Sequence, residues 1–243
     1  MILDIYKDSF EYSAKDWKKL VILGVFCLFS FLLIPAFLIT GYNYRVINTA
    51  VHGVINGRDP MPDFSDLFEM FIDGVKVVIV QLAYLIVPAI IFIIFAFVSS
   101  QLGGIASTAL MLIGCIITFI IMVGACLMQQ MGLCHMAYHD GAFTKAFAVS
   151  EIKEVIREIG WFKCIVTYLG LVIITVVITL VVTGIIYGIF AVFGFSGAVL
   201  GANPSLIILM GAIINVLITL FIVGPYLSIF NSRSIGLLYT MQI

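Results

Sequence analysis

Charge is what this sequence has least of. Asp, Glu, Lys and Arg make up 10% of it, against about 25% in a soluble domain. None occurs between Lys76 and Asp140, and none between Lys163 and Arg233. A helix crosses a bilayer with about 20 apolar residues, so each uncharged stretch is long enough to cross, turn and cross back. A water-soluble fold is excluded, because such a fold needs a polar exterior. Here 63% of residues are hydrophobic and the mean hydropathy is +1.23.

Other absences narrow the function. The net charge is −1, so no basic field exists to attract nucleic acid. No G-x-S-x-G, H-E-x-x-H or Walker motif occurs, and no catalytic residue or cofactor is assigned. The five cysteines (Cys27, Cys115, Cys126, Cys134, Cys164) form no C-x-x-C pair; they read as packing residues. Acids are mixed with lysines in the first 19 residues and no A-x-A site follows, so we expect the N-terminus to be retained.

What remains is a set of apolar segments: 20–39, continuing toward His52, then 75–98, 106–139, 161–193 and 205–230. Uncharged turns at 99–105 and 194–204 join the last four into two hairpins. Every Lys and Arg falls in one of four patches, 7–19, 45–76, 145–163 and Arg233. The positive-inside rule puts those patches and both termini in the cytoplasm, and the bare turns outside. Residues 20–52 satisfy this only if they enter and return on one side. Pro35 favours such a short or re-entrant hairpin by biasing Ile34 away from helix. A single tilted, proline-kinked span is the competing arrangement.

The expected fold is an all-α integral membrane protein of the cell membrane, a single transmembrane domain over 1–243. It has about six membrane helices, the first pair short or re-entrant. Three stretches carry apolar stripes at helical spacing: Leu3, Tyr6, Phe10, Ala14 and Trp17; Phe64, Leu67, Phe68, Phe71, Ile72 and Val75; Ile152, Val155, Ile156 and Ile159. Each leads into an apolar segment through a junction holding Lys. The chain thus reads as three repeats of interfacial amphipathic helix plus hairpin, approximately 1–53, 63–139 and 143–243.

Residues 41–80 carry a family likeness. Gly41-Tyr42-Asn43-Tyr44-Arg45-Val46-Ile47, then Gly57-Arg58-Asp59-Pro60-Met61-Pro62-Asp63-Phe64 and Asp73-Gly74-Val75-Lys76 resemble domain-of-unknown-function family 4013. That is an uncharacterised family of polytopic prokaryotic membrane proteins, common in archaea. The pattern is more distantly similar to the membrane part of some glycerophosphodiester phosphodiesterases, whose separate enzyme domain is not among these residues. The resemblance implies a polytopic helical fold and carries over no site residue.

Two groups of side chains are candidates for chemistry. Met131, Cys134, His135 and His139 share one side of a helix and offer soft and imidazole ligands. Ordinary packing is the stronger reading, so no metal is assigned. Thr175, Thr179, Thr183 and Tyr187 form a stripe that, with Asn215 and Gln81, could line a polar path. Such residues are more often interhelical hydrogen-bond glue. No acid or base lies mid-span, which argues against an ion-coupled pump.

The favoured function is therefore a non-enzymatic membrane subunit, scaffold or assembly module, contacting the lipid bilayer and a membrane protein partner or a second copy. The alternative is a transporter, channel or lipid-handling protein, and a third reading is an intramembrane enzyme or redox subunit using the Cys134–His139 cluster. In a cysteine-free background, external thiol reagent should reach single cysteines at 102 and 198 but not at 57. Labelling at 57 in intact cells contradicts the hairpin topology.

Overall fold

Hydrocarbon offers no hydrogen bonds to a backbone, so uncharged stretches of this length must bond internally as helix. The computed structural model describes residues 2–199 and 203–242. Its helices are α1 (Ile2–Ser13), α2 (Trp17–Leu28), α3 (Leu33–Val51), α4 (Leu67–Ser100), α5 (Gly104–Tyr138), α6 (Val149–Ile159), α7 (Trp161–Val199), α8 (Pro204–Ile218) and α9 (Gly224–Tyr239). A 3-10 segment, Phe143–Phe147, precedes α6, and a π turn, Thr219–Val223, joins α8 to α9. Four helical rods among the described residues are long and apolar enough to cross a membrane: Leu67–Ser100, Gly104–Tyr138, Trp161–Gly197 and Ser205–Tyr239. The protein is a membrane protein with two long hairpins. At about 1.5 Å per residue, the 34 residues of α4 exceed the ~30 Å hydrocarbon core.

Residues 17–51 form a third, shorter hairpin. The turn at 29–32 reverses the chain, and α2 has only 12 residues. Its tip is apolar and exposed, with Phe31 at 77% and Leu33 at 75%. Both arms are held at their base by the same loop. Lys19 Nζ donates to Met61 O and pairs with Asp63, each at 2.7 Å. Tyr42 donates to Pro62 O at 3.3 Å, and Arg45 Nη1 to Ser65 O at 2.6 Å. The chain therefore leaves this loop along α2 and returns to it along α3. The break falls before Pro35 rather than at it. Pro35 and Ile34 lie in the first turn of α3, where a missing N–H costs nothing.

The core lies at one end of the molecule. The inner ends of α3, α4, α5 and α7 pack there with α1, α6 and α9, burying Tyr42, Met70, Met131, Ile152 and Phe230. Further out the rods expose Ile93, Phe119, Leu180 and Phe193 to their surroundings, as lipid-facing helices must. Helices α3 and α4 cross so closely that a Cβ at Gly41 would strike the Met70 carbonyl and one at Gly74 the Phe37 carbonyl. This is the small-residue contact that lets membrane helices touch backbone to backbone.

At the centre of the packed end sits Arg233, fully buried. Its Nε donates to Asp8 Oδ1 at 3.0 Å and its Nη2 to Asp59 Oδ2 at 2.8 Å. The guanidinium lies 4.6 Å from the centroid of the Tyr12 ring. The other oxygen of Asp8 accepts from the Asn56 amide at 2.6 Å. A Cβ at Gly53 would collide with the Asp59 carboxylate. One cation therefore ties α1, the 53–66 loop and α9 together.

Four sequence expectations change. The residues beyond the expected last apolar segment, 205–230, are instead the most buried part of α9, from Ser232 to Tyr239. Helix α1 buries Ile5, Asp8, Ser9, Tyr12 and Ser13 most deeply, with Asp8 facing Arg233; of the stripe, Tyr6 and Phe10 pack half-buried against Phe230 while Leu3, Ala14 and Trp17 are exposed. The stripe beginning at Phe64 has no separate helix, since α4 starts at Leu67. Residues 61–66 cannot wind, because their carbonyls accept from Lys19, Tyr42 and Arg45. The turn expected at 194–204 is shorter, as helix continues to Val199; its residues 200–202 lie outside the described residues. Helix α6 buries Ile152, Val155, Ile156 and Ile159, while Lys153, Glu154, Arg157 and Glu158 are exposed.

Candidate functional site

The end of α5 places His135 and His139 one turn apart, so both imidazoles project on one side. Their ring centroids are 4.3 Å apart. The 3-10 segment then brings Lys145 back, and the first turn of α6 supplies Glu151. His135 Nε2 lies 2.9 Å from Glu151 Oε2, and His135 Nδ1 lies 2.7 Å from the Tyr239 hydroxyl. A carboxylate only accepts, so Nε2 carries the proton and the neutral ring takes the Tyr239 proton at Nδ1. Lys145 Nζ donates to both Glu151 oxygens, at 3.0 and 2.7 Å. These two hydrogen-bonding partners, Lys145 first, hold the Glu151 carboxyl down at about 2.

His135, His139 and Glu151 bring one ligand atom each within 4.8 Å of one another, the donor set of a two-histidine, one-carboxylate metal site. The bonds already present oppose that use. Both nitrogens of His135 are engaged, His139 Nδ1 donates to the His135 carbonyl at 2.9 Å, and an ammonium occupies Glu151. The arrangement is a clamp joining α5, the 3-10 segment, α6 and the end of α9. The other two residues of the sequence cluster do not join it. Met131 and Cys134 lie in the apolar core with Ile47, Ala50 and Ile156.

The polar stripe is divided among different surroundings. Thr175 Oγ1 and Asn231 Nδ2 lie 3.3 Å apart, within a cavity of about 250 Å³ that Gln130 and Tyr168 also line. Thr179 Oγ1 turns back to the Thr175 carbonyl at 2.8 Å. Thr183 is half-buried further along α7 and Tyr187 is exposed. Asn215 lies on α8, its Oδ1 buried without a hydrogen-bond partner. Gln81 belongs to α4, in the other long hairpin. Asn231 was the residue missed here, because it follows the last apolar segment. Glu151 and Tyr239 were missed because they meet His135 across 16 and 104 residues, and no spacing rule signals such contacts.

A protein-family model described as "Protein of unknown function (DUF4013)" matches residues 28–187. No curated protein and no solved structure matches the chain.

The clamp predicts an acid dependence. Glu151 has a lower pKa folded than its ordinary 4.5, so its contribution is present above about pH 4.5 and lost as pH falls toward 2. Thermal unfolding of detergent-solubilised protein should show wild type more stable than Glu151→Gln at pH 7, with the gap closing below pH 4.5. Equal melting temperatures at pH 7 contradict the clamp.

Proposed function

The chain belongs to the DUF4013 family, and we propose that it is a non-enzymatic membrane subunit, scaffold or assembly module. The observation that carries this reading is the packed end, where buried Arg233 and the His135–Glu151 clamp spend their polar groups on joining helices. A rigid platform with long apolar rods suits a protein that holds a partner within the bilayer. On this reading the packed end and both termini are cytoplasmic, the membrane is that of the cell, and the 17–51 hairpin is re-entrant. It also makes up the first of three hairpin repeats, giving six membrane helices.

A second reading, transport or lipid handling, is favoured by the cavity at Gln130, Tyr168, Thr175 and Asn231. Tagged protein purified from its native host in mild detergent and examined by native mass spectrometry separates the two. A stoichiometric protein partner, kept by Thr175→Val and Asn231→Leu variants, is expected. A lone chain whose bound small molecule or lipid is lost in those variants contradicts the module reading and supports the second.

A further inference from the structure

Between α4, α5 and the start of α6 lies an open groove of about 400 Å³, within the size range of ligand sites. Ala83, Tyr84 and Val87 form one wall, Ile121, Ala125 and Met128 the floor, and Phe147 and Val149 the roof. It is almost wholly apolar. The one polar tip on its wall is satisfied, since the Tyr84 hydroxyl donates to the Ala146 carbonyl at 2.9 Å. The Tyr84 ring stacks on Phe147 at 6.1 Å, so wall and roof are braced together.

The charge at its mouth is of one kind. Lys153 lines the rim. Val149, Lys153 and Arg157 follow at spacing four, which puts all three on one face of α6. Lys153 and Arg157 are exposed, and among the described residues neither has an ion pair, whereas Lys145 is engaged by Glu151. Glu158 lies about 100° further round the helix from Arg157, and Glu154, one turn before Arg157, lies about 60° from it but makes no ion pair with it among the described residues. The apolar trench runs along two membrane rods, and the cations stand where those rods meet the polar end.

We propose that this groove is a binding site for an anionic phospholipid, one acyl chain lying along α4 and α5 and the phosphate held by Lys153 and Arg157. The match is one of chemistry and length. A hydrocarbon chain fills a trench whose polar atoms are already bonded, and a negative headgroup pairs with cations that lack partners. The site depends on the chain residing in a membrane, and not on its being a module.

The test uses purified, delipidated full-length protein in detergent, titrated with dioleoyl phosphatidylglycerol or dioleoyl phosphatidylcholine and read by native mass spectrometry. One phosphatidylglycerol should bind in preference to phosphatidylcholine. Lys153→Gln and Arg157→Gln should each weaken it by about fivefold, the effect of about 1 kcal/mol per cation near a membrane surface. Both side chains are exposed, so folding should persist. Ala125→Phe should fill the trench and remove the bound lipid even with both cations present. Equal binding of the two lipids, no effect of the charge variants, or displacement by free glycerol phosphate at matching concentration overturns the proposal.

Discussion

A guanidinium buried at 0% exposure has to be neutralised where it stands, and the packed end of this protein is arranged around that requirement. Removing a cation from water costs several kcal/mol, which attraction offsets only with good geometry. Asp8 and Asp59, from segments 225 and 174 residues away in sequence, meet Nε and Nη2, while Nη1 is buried without a hydrogen-bond partner. Helix α1 is turned so that Asp8, Ser9 and Tyr12 face inward. The 53–66 loop is drawn over the end of α9, and that loop holds the bases of α2 and α3 through Lys19, Tyr42 and Arg45. A single ion cluster thus sets the position of the short hairpin.

The second cluster does similar work on the other side of α9. Tyr239, Lys145 and Glu151 converge on His135, joining the last residues of two long rods to α6. With both clusters at one end, the hairpins need little contact along their outer lengths, where Ile93, Phe119 and Leu180 face outward. Apolar surface in lipid gains nothing from helix–helix burial that lipid tails do not also give. Polar bonds at one end and close glycine crossings such as Gly41 with Gly74 carry the specificity instead.

The long rods were legible because the bilayer is a simple solvent. A run without Asp, Glu, Lys or Arg from 77 to 139 can hardly be anything but a hairpin, and the distribution of Lys and Arg made 20–52 turn back on itself. The packed end was not legible, because its contacts link residues far apart. Arg233 read as a tail charge since it follows an apolar segment, although nothing in its neighbours says that Asp8 will reach it. Proximity of His135 and His139 followed from helical spacing, while Glu151, which decides what those histidines do, did not. The Thr175 stripe was visible as a period of four. Its partner Asn231 and the cavity they share depend on how α7 meets α9.

The central claim is that Arg233 holds the packed end together through its carboxylates. The direct measurement is thermal and denaturant unfolding of Arg233→Met beside the triple variant Arg233→Met/Asp8→Asn/Asp59→Asn. The single variant leaves two acids facing an apolar side chain and should lose about 3–5 kcal/mol. The triple variant, with no buried charge uncompensated, should recover a large part of that loss. Wild-type stability in Arg233→Met, or a triple variant no better than the single, would show that the cluster is not what positions α1, the loop and α9.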